Sequence, residues 1–219
     1  MSWNVIDWGL IGQATLDTTA MVGWSLLLSV VIGLPIGIYL FLCADGQPLQ
    51  NKPAYQGLSV VVNILRSVPF IILLIVLIPF TRLVAGTSLG VPGAIPPLVV
   101  GTAPFFARLV ENVLRELDPG ILEASRAMGA NTRQTIFLTL LPEATTGLIS
   151  AIVVTAIVLI SYSAMSGVIG GGGLGDVAIR YGYQRYQTGM MIATVAILVI
   201  MVQIIQMFGD WLVNKLNRK

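Results

Sequence analysis

The chain alternates long apolar runs with short polar breaks, and the runs have the length of membrane spans. A helix needs about 20 apolar residues, within a range of about 17–25, to cross the hydrocarbon of a bilayer. Five segments qualify: residues 18–42, 57–80, 94–114, 145–165 and 190–213. The third is the most interrupted, holding Pro96, Pro97, Pro104 and Arg108. Pro69 and Pro104 should kink the helices that contain them. One polar break has a pattern of its own. In "DPGILEASRAMGANTRQ", Asp118 to Gln134, Asp118 can accept the free N–H groups of a first helical turn. Pro119 follows where a missing N–H costs nothing. Ile121, Leu122, Ser125 and Met128 then fall on one side, with Glu123, Arg126 and Ala130 round the rest. A short amphipathic helix over residues 119–131 is expected. Gly129 costs it about 1 kcal/mol relative to alanine and suits a turn or the close approach of another backbone. Amphipathicity alone fits a helix lying on lipid headgroups equally well.

Composition agrees with the pattern. Of 219 residues, 56% are hydrophobic and 10% charged, against about 25% charged in soluble domains. The fold class expected is all-α integral membrane: one domain over residues 1–219 with five transmembrane helices. Lys and Arg concentrate on the cytoplasmic side of membrane proteins. With the N-terminus outside, the inner segments hold Lys52, Arg115, Arg126, Arg133, Lys215, Arg218 and Lys219, and the outer ones only Arg82, Arg180 and Arg185. The amphipathic helix between spans three and four is then cytoplasmic. Trp3 and Trp8 suit a membrane interface. The opening "MSWNVIDWGLIG" lacks the basic start of a cleaved signal. A net charge of +2 gives no argument for nucleic acid.

Candidate chemistry is sparse. There is no histidine, and Cys43 stands alone, so no internal disulfide or thiolate metal cluster can form. No metal site, no cofactor of this chain and no nucleophile–base pair is expected. The sequence lacks G-x-x-x-x-G-K-[ST], so it is not a P-loop ATPase. "GGGGLG", Gly170 to Gly175, matches G-x-G-x-x-G but follows a span instead of a strand. It reads as a tightly packed segment or as a flexible connection. Within the spans, Arg66 would cost about 2.5–3.5 kcal/mol near the bilayer centre. It either snorkels to the cytoplasmic end or joins an ion network with Arg108 and Glu111; the network is favoured over direct contact with a substrate. Ser161, Tyr162, Ser163, Met165 and Ser166 end the fourth span. Serines there suit helix packing, and Met165 suits a gate where two copies meet.

The order Glu123-Ala124-Ser125, Gly129, Thr139, Leu141-Pro142 resembles the EAA signature of permease subunits of bacterial ABC importers. Ser125 replaces the family's second alanine and Thr139 its isoleucine. "NILRSVPFIILL", "GTAPFFARLVENVL", "SYSAMSGVIGGGGLGD" and the C-terminal "FGDWLVNKLNRK" extend the resemblance to MetI-type permeases of methionine importers, over nearly the whole chain. The resemblance implies a homodimer of five-span subunits forming the pathway for L- or D-methionine. Two MetN-type ATPase subunits would carry ATP and Mg, and an extracytoplasmic MetQ-type protein would deliver substrate. Residues Glu123, Ala124, Ser125, Arg126, Ala127, Met128, Gly129 and Ala130 would form the coupling helix against the ATPase. Permeases for another amino acid or small organic solute remain open. An ATP-independent channel or secondary transporter is a different class, but no internal repeat supports it.

Overall fold

The computed structural model describes residues 6–216, so the expectation for Trp3 and the charges of Arg218 and Lys219 lie outside the described residues. Every regular element among them is helical: α1 (Trp8–Cys43), α2 (Lys52–Ser67), α3 (Phe70–Val76), α4 (Ile78–Ala85) and α5 (Gly90–Arg115) come first. Then follow α6 (Pro119–Ala127), α7 (Thr132–Gln134), a π turn (Thr135–Leu140), α8 (Leu141–Glu143) and α9 (Thr145–Ser166). A 3-10 turn (Gly167–Ile169), α10 (Gly173–Val177), a second π turn (Ala178–Tyr183) and α11 (Thr188–Leu216) complete the order.

Four of these helices are long and apolar enough to span a bilayer: α1, α5, α9 with its 3-10 extension, and α11. The second expected span is not one helix. α2 and α3 meet at an angle of 100°, and together they make the fifth candidate span. The cause is local. Pro69 has no N–H to donate, and a residue before proline is pushed out of the α region. Val68 accordingly sits at φ −77°, ψ 126°. A second interruption at Leu77, just before Ile78-Pro79, splits the rest of "FIILLIVLIPF" between α3 and α4. The third expected span, by contrast, runs unbroken through Pro96, Pro97 and Pro104.

The first helix also departs from expectation. It begins at Trp8, ten residues before the expected start at residue 18, because Asp7 caps it by accepting the Leu10 N–H at 3.0 Å. Its early turns place Ile11 and Ala14 in a buried cluster with Leu174, Val177 and Met190. α1 and α5 form the central pair. Gly33 of α1 faces the backbone of Ala103, and Gly37 faces Ala107 and Val110. Ser29 and Thr102 share a buried hydrogen bond of 2.6 Å across this seam. Small residues that let backbones approach are the usual glue of membrane helices. The glycine run after α9 is packed: Gly173 sits against Thr18 and Met21, and Leu174 donates its N–H to Thr18 Oγ1 at 2.9 Å. Of the two readings open for that segment, the tight one describes it.

Candidate functional site

The amphipathic helix is shorter than its expected range of 119–131. Asp118 accepts the Gly120 N–H at 2.8 Å, α6 runs from Pro119 to Ala127, and the rest is turn. Its end is a left-handed stop. Gly129 takes φ +75°, its N–H donates to Arg126 O at 2.9 Å, and the Ala130 N–H donates to Ser125 O at 3.1 Å. This pair of bonds satisfies the last free carbonyls of a helix and requires a left-handed residue. A Cβ on Gly129 would meet nothing within 4 Å, so backbone conformation and not packing demands glycine there. Asn131 and Gln134 then close a reciprocal capping box that starts α7.

Leu122 and Ser125 face inward and are buried; Glu123, Ala124, Arg126 and Ala127 face out. Met128, expected on the inner side, is 80% exposed. The helix stops at Ala127, so Met128 already belongs to the turn. Ser125 lies over two hydroxyls: Thr135 Oγ1 at 3.2 Å and Thr139 Oγ1, which donates to it at 3.4 Å. The two positions that depart from the EAA pattern therefore touch each other. Arg126 Nη2 donates to Gly46 O at 3.3 Å and ties the helix to the loop after α1. The result is an exposed knob held on a fixed base.

Arg108 and Glu111 do come together, and Arg66 does not join them. Glu111 is 1% exposed and accepts from Arg108 Nη1 through one carboxylate oxygen. Its other oxygen accepts from Arg115 Nη2 at 2.7 Å, Arg115 Nε at 3.0 Å and Tyr55 OH at 3.1 Å. Arg108 Nη2 reaches Ser59 Oγ at 2.7 Å and Asn63 Oδ1 at 2.8 Å. The network rivets α2 to α5; Tyr55, Ser59 and Asn63 belong to it although sequence reasoning did not name them, and so does Arg115, named there only as a cytoplasmic-side charge. A signal was present: Tyr55, Ser59 and Asn63 recur every four residues, one face of a helix. Arg66 lies farther along α2, with its guanidinium carbon 5.7 Å from the centre of the Phe105 ring. It shares the α2 face of Tyr55, Ser59 and Asn63 but lies eleven residues beyond Tyr55, about 16 Å along the helix axis, and so it meets Phe105 instead of Glu111.

The five residues at the end of α9 divide. Ser163 and Ser166 are buried and donate to carbonyls of their own helix, Ile160 O at 2.8 Å and Ser163 O at 2.7 Å. Met165 is half-buried against the cluster that holds Met21, Leu98 and Leu159. Ser161 is exposed on another face. Tyr162 stacks on Phe70 with ring centres 4.0 Å apart. These two rings, with Leu65, Arg66, Val68, Leu73, Gly101 and Phe105, line a cavity of about 260 Å³ beside the α2–α3 break.

Comparison with known proteins places this geometry. Residues 33–219 match the family described as binding-protein-dependent transport system inner membrane component. The chain is 43% identical over 99% of its length, and 96% of the relative, to the probable D-methionine transport system permease protein MetI of Vibrio cholerae. It is 47% identical to the methionine import system permease protein MetP of Bacillus subtilis, covering 82% of this chain and 81% of that one. Among solved structures, a chain of the MetNI methionine ABC transporter in an inward-facing conformation superposes with a TM-score of 0.94 at 47% identity. That match covers 95% of this chain and 97% of the other.

Proposed function

Because the chain belongs to the family of binding-protein-dependent transport system inner membrane components, and is a multi-pass membrane protein of that kind, we propose that it is the permease of an ATP-driven methionine importer. The observation that carries this reading is the knob formed by α6 and Gly129 on a chain 47% identical to a methionine-transporter subunit. A passive subunit needs a rigid contact through which a separate motor can move its spans. Glu123, Ala124, Arg126, Ala127, Met128 and Gly129 would meet the ATPase, with Ser125 and Ala130 fixing the base. Hydrolysis of ATP with Mg would take place on two MetN-type subunits. A second copy of this chain would complete the pathway, and an extracytoplasmic MetQ-type protein would load it. The distribution of Lys and Arg supports an outside N-terminus and a cytoplasmic C-terminus.

The test is uptake of labelled methionine into proteoliposomes holding the permease, its ATPase and its binding protein. Uptake should require internal ATP and each partner. Uptake by the chain alone overturns the reading, and preferential uptake of another amino acid reassigns the substrate. Met165, at the end of α9, would narrow the outer mouth where two copies meet. Met165→Ala should then raise ATP hydrolysis in the absence of binding protein; unchanged hydrolysis and unchanged uptake remove Met165 from that role.

A further inference from the structure

Arg66 is a charge in a candidate span that none of the ion pairs among the described residues uses. Among the described residues, Glu111 is the carboxylate within ion-pair distance of Arg108 and of Arg115. No described carboxylate lies within that distance of Arg66. An ionisable side chain inside a spanning segment marks a pathway or a ligand unless a partner neutralises it. Arg66 has only the face of Phe105, and a planar guanidinium beside aromatic rings is built for bidentate capture of a carboxylate.

Its surroundings supply the rest of a site. The cavity of about 260 Å³ is smaller than the roughly 300–1,000 Å³ of pockets for drug-sized ligands, so its occupant is smaller too. Apart from Arg66 the walls are Leu65, Val68, Leu73 and the rings of Phe70, Phe105 and Tyr162. Sulfur makes favourable contacts with ring edges, so this wall suits a thioether side chain. Gly101 keeps the cavity open beside Phe70; a Cβ there would lie 3.2 Å from that ring. The site sits at the 100° break between α2 and α3. Discontinuous spans are where transporters place substrate sites, because irregular backbone at membrane depth must line a cavity. Tyr55, Ser59, Asn63 and Ser67 form a polar track at four-residue spacing along α2 toward this point.

We propose that the cavity at the α2–α3 break is a transit site for a free amino acid, with Arg66 holding the α-carboxylate and the rings of Phe105, Phe70 and Tyr162 holding an apolar side chain. The proposal rests on the reading of the chain as an amino-acid permease and adds where the substrate pauses. It requires a carboxylate on the ligand, a demand that a purely apolar pore would not make.

Two measurements on the complete importer test it. Val68→Cys places a thiol on the cavity wall, and its rate of modification by a small maleimide is followed. Methionine should slow that rate at least threefold, and methioninol, which lacks the carboxylate, should not. Adding Arg66→Gln should abolish the protection. No protection by methionine, or equal protection by both compounds, overturns the proposal; so does protection that survives Arg66→Gln. In proteoliposomes, Arg66→Gln should lower methionine uptake at least tenfold while binding-protein-stimulated ATP hydrolysis stays within twofold. Arg66→Lys should fall between the two. Uptake within twofold of the parent, or a parallel loss of hydrolysis, assigns Arg66 to lipid phosphate or to structure and rejects the site. If the parent importer itself moves no methionine, the functional reading fails instead.

Discussion

α5 and the α2–α3 segment meet the same obstacle and answer it differently. α5 contains Pro96, Pro97 and Pro104 and continues for 26 residues. The other segment has Pro69 at its junction and turns through 100°. A proline inside a helix costs about 3 kcal/mol or more, so counting prolines ranks the two wrongly. Surroundings decide. Most of the span window of α5 is buried, with the backbone of α1 pressed close at Gly33 and Gly37 and Ser29 bonded to Thr102. α2 buries only Val62 among its residues, and the polar network that ties it to α5 ends at Asn63, short of the Val68-Pro69 step. Charge follows the same division. Arg108 and Arg115 are neutralised by Glu111, whereas Arg66 on α2 faces an aromatic ring and an open cavity. One region is closed to change; the other keeps a hinge-like break and an unspent cation.

The largest expected effect tests the charges. Glu111→Gln should lower the stability of the detergent-solubilised protein by about 3 kcal/mol. That is the low end of the cost of breaking a buried pair by removing one partner, because Arg115 remains 46% exposed to solvent. Arg66→Gln should change stability by less than about 0.5 kcal/mol, as for a residue outside the core. Thermal unfolding followed by circular dichroism reads both. Equal losses would erase the distinction between a structural and an unspent charge.

A smaller effect, of opposite sign in the two regions, comes from one kind of substitution. Gly37→Ala drives a methyl into Ala107 and Val110 and should cost about 2 kcal/mol, within the range for overpacking a tight seam. Gly57 of α2 has nothing within 4 Å of a would-be Cβ. Gly57→Ala should therefore gain about 0.5–1 kcal/mol from the lower entropy of the unfolded chain. The same unfolding measurement applies, and a loss at Gly57 would show that α2 is packed more closely than its exposure indicates.

The legible part of the molecule was the part written in local pattern. Apolar runs gave four continuous spans, and Asp118-Pro119 gave the start of α6, while its end at Ala127 fell four residues short of the expected 131 although Gly129 had signalled a turn. The break in the second span was signalled by Pro69 but not its size, because the same signal in α5 leaves the helix continuous where α1 packs against it. The start of α1 had a local signal in the Asp7 cap, but the burial of Ile11 and Ala14 against α10 and α11 comes from contacts far away in sequence. The ion network was half legible: Arg108 and Glu111 are three apart on one helix, but their meeting with Tyr55 and Asn63 depends on how two helices align. Ser125 and Thr139 looked like two separate departures from the EAA pattern, and only the fold shows that they touch.

That pair supplies the smallest test, at a polar contact on the packed side. If the packed region tolerates polar atoms only when they are satisfied, Ser125 and Thr139 should behave like Glu111 on a reduced scale. Ser125→Ala removes the acceptor of the Thr139 hydroxyl, and Thr139→Ile removes its donor. Each alone should cost about 1 kcal/mol, the lower end for stranding a buried polar group, since the bond is long at 3.4 Å. Ser125 keeps Thr135 as a partner when Thr139 is lost, which limits that loss further. The double variant restores the apolar pair of the family pattern, so its cost should fall below the sum of the singles by about 0.5–1 kcal/mol, the coupling of residues in contact. Unfolding of all four proteins gives the cycle, and ATP hydrolysis in the assembled importer shows whether the knob still transmits. Strict additivity would mean that the two hydroxyls are not energetically coupled, and that satisfaction of polar contacts is not what separates the closed region from the open one.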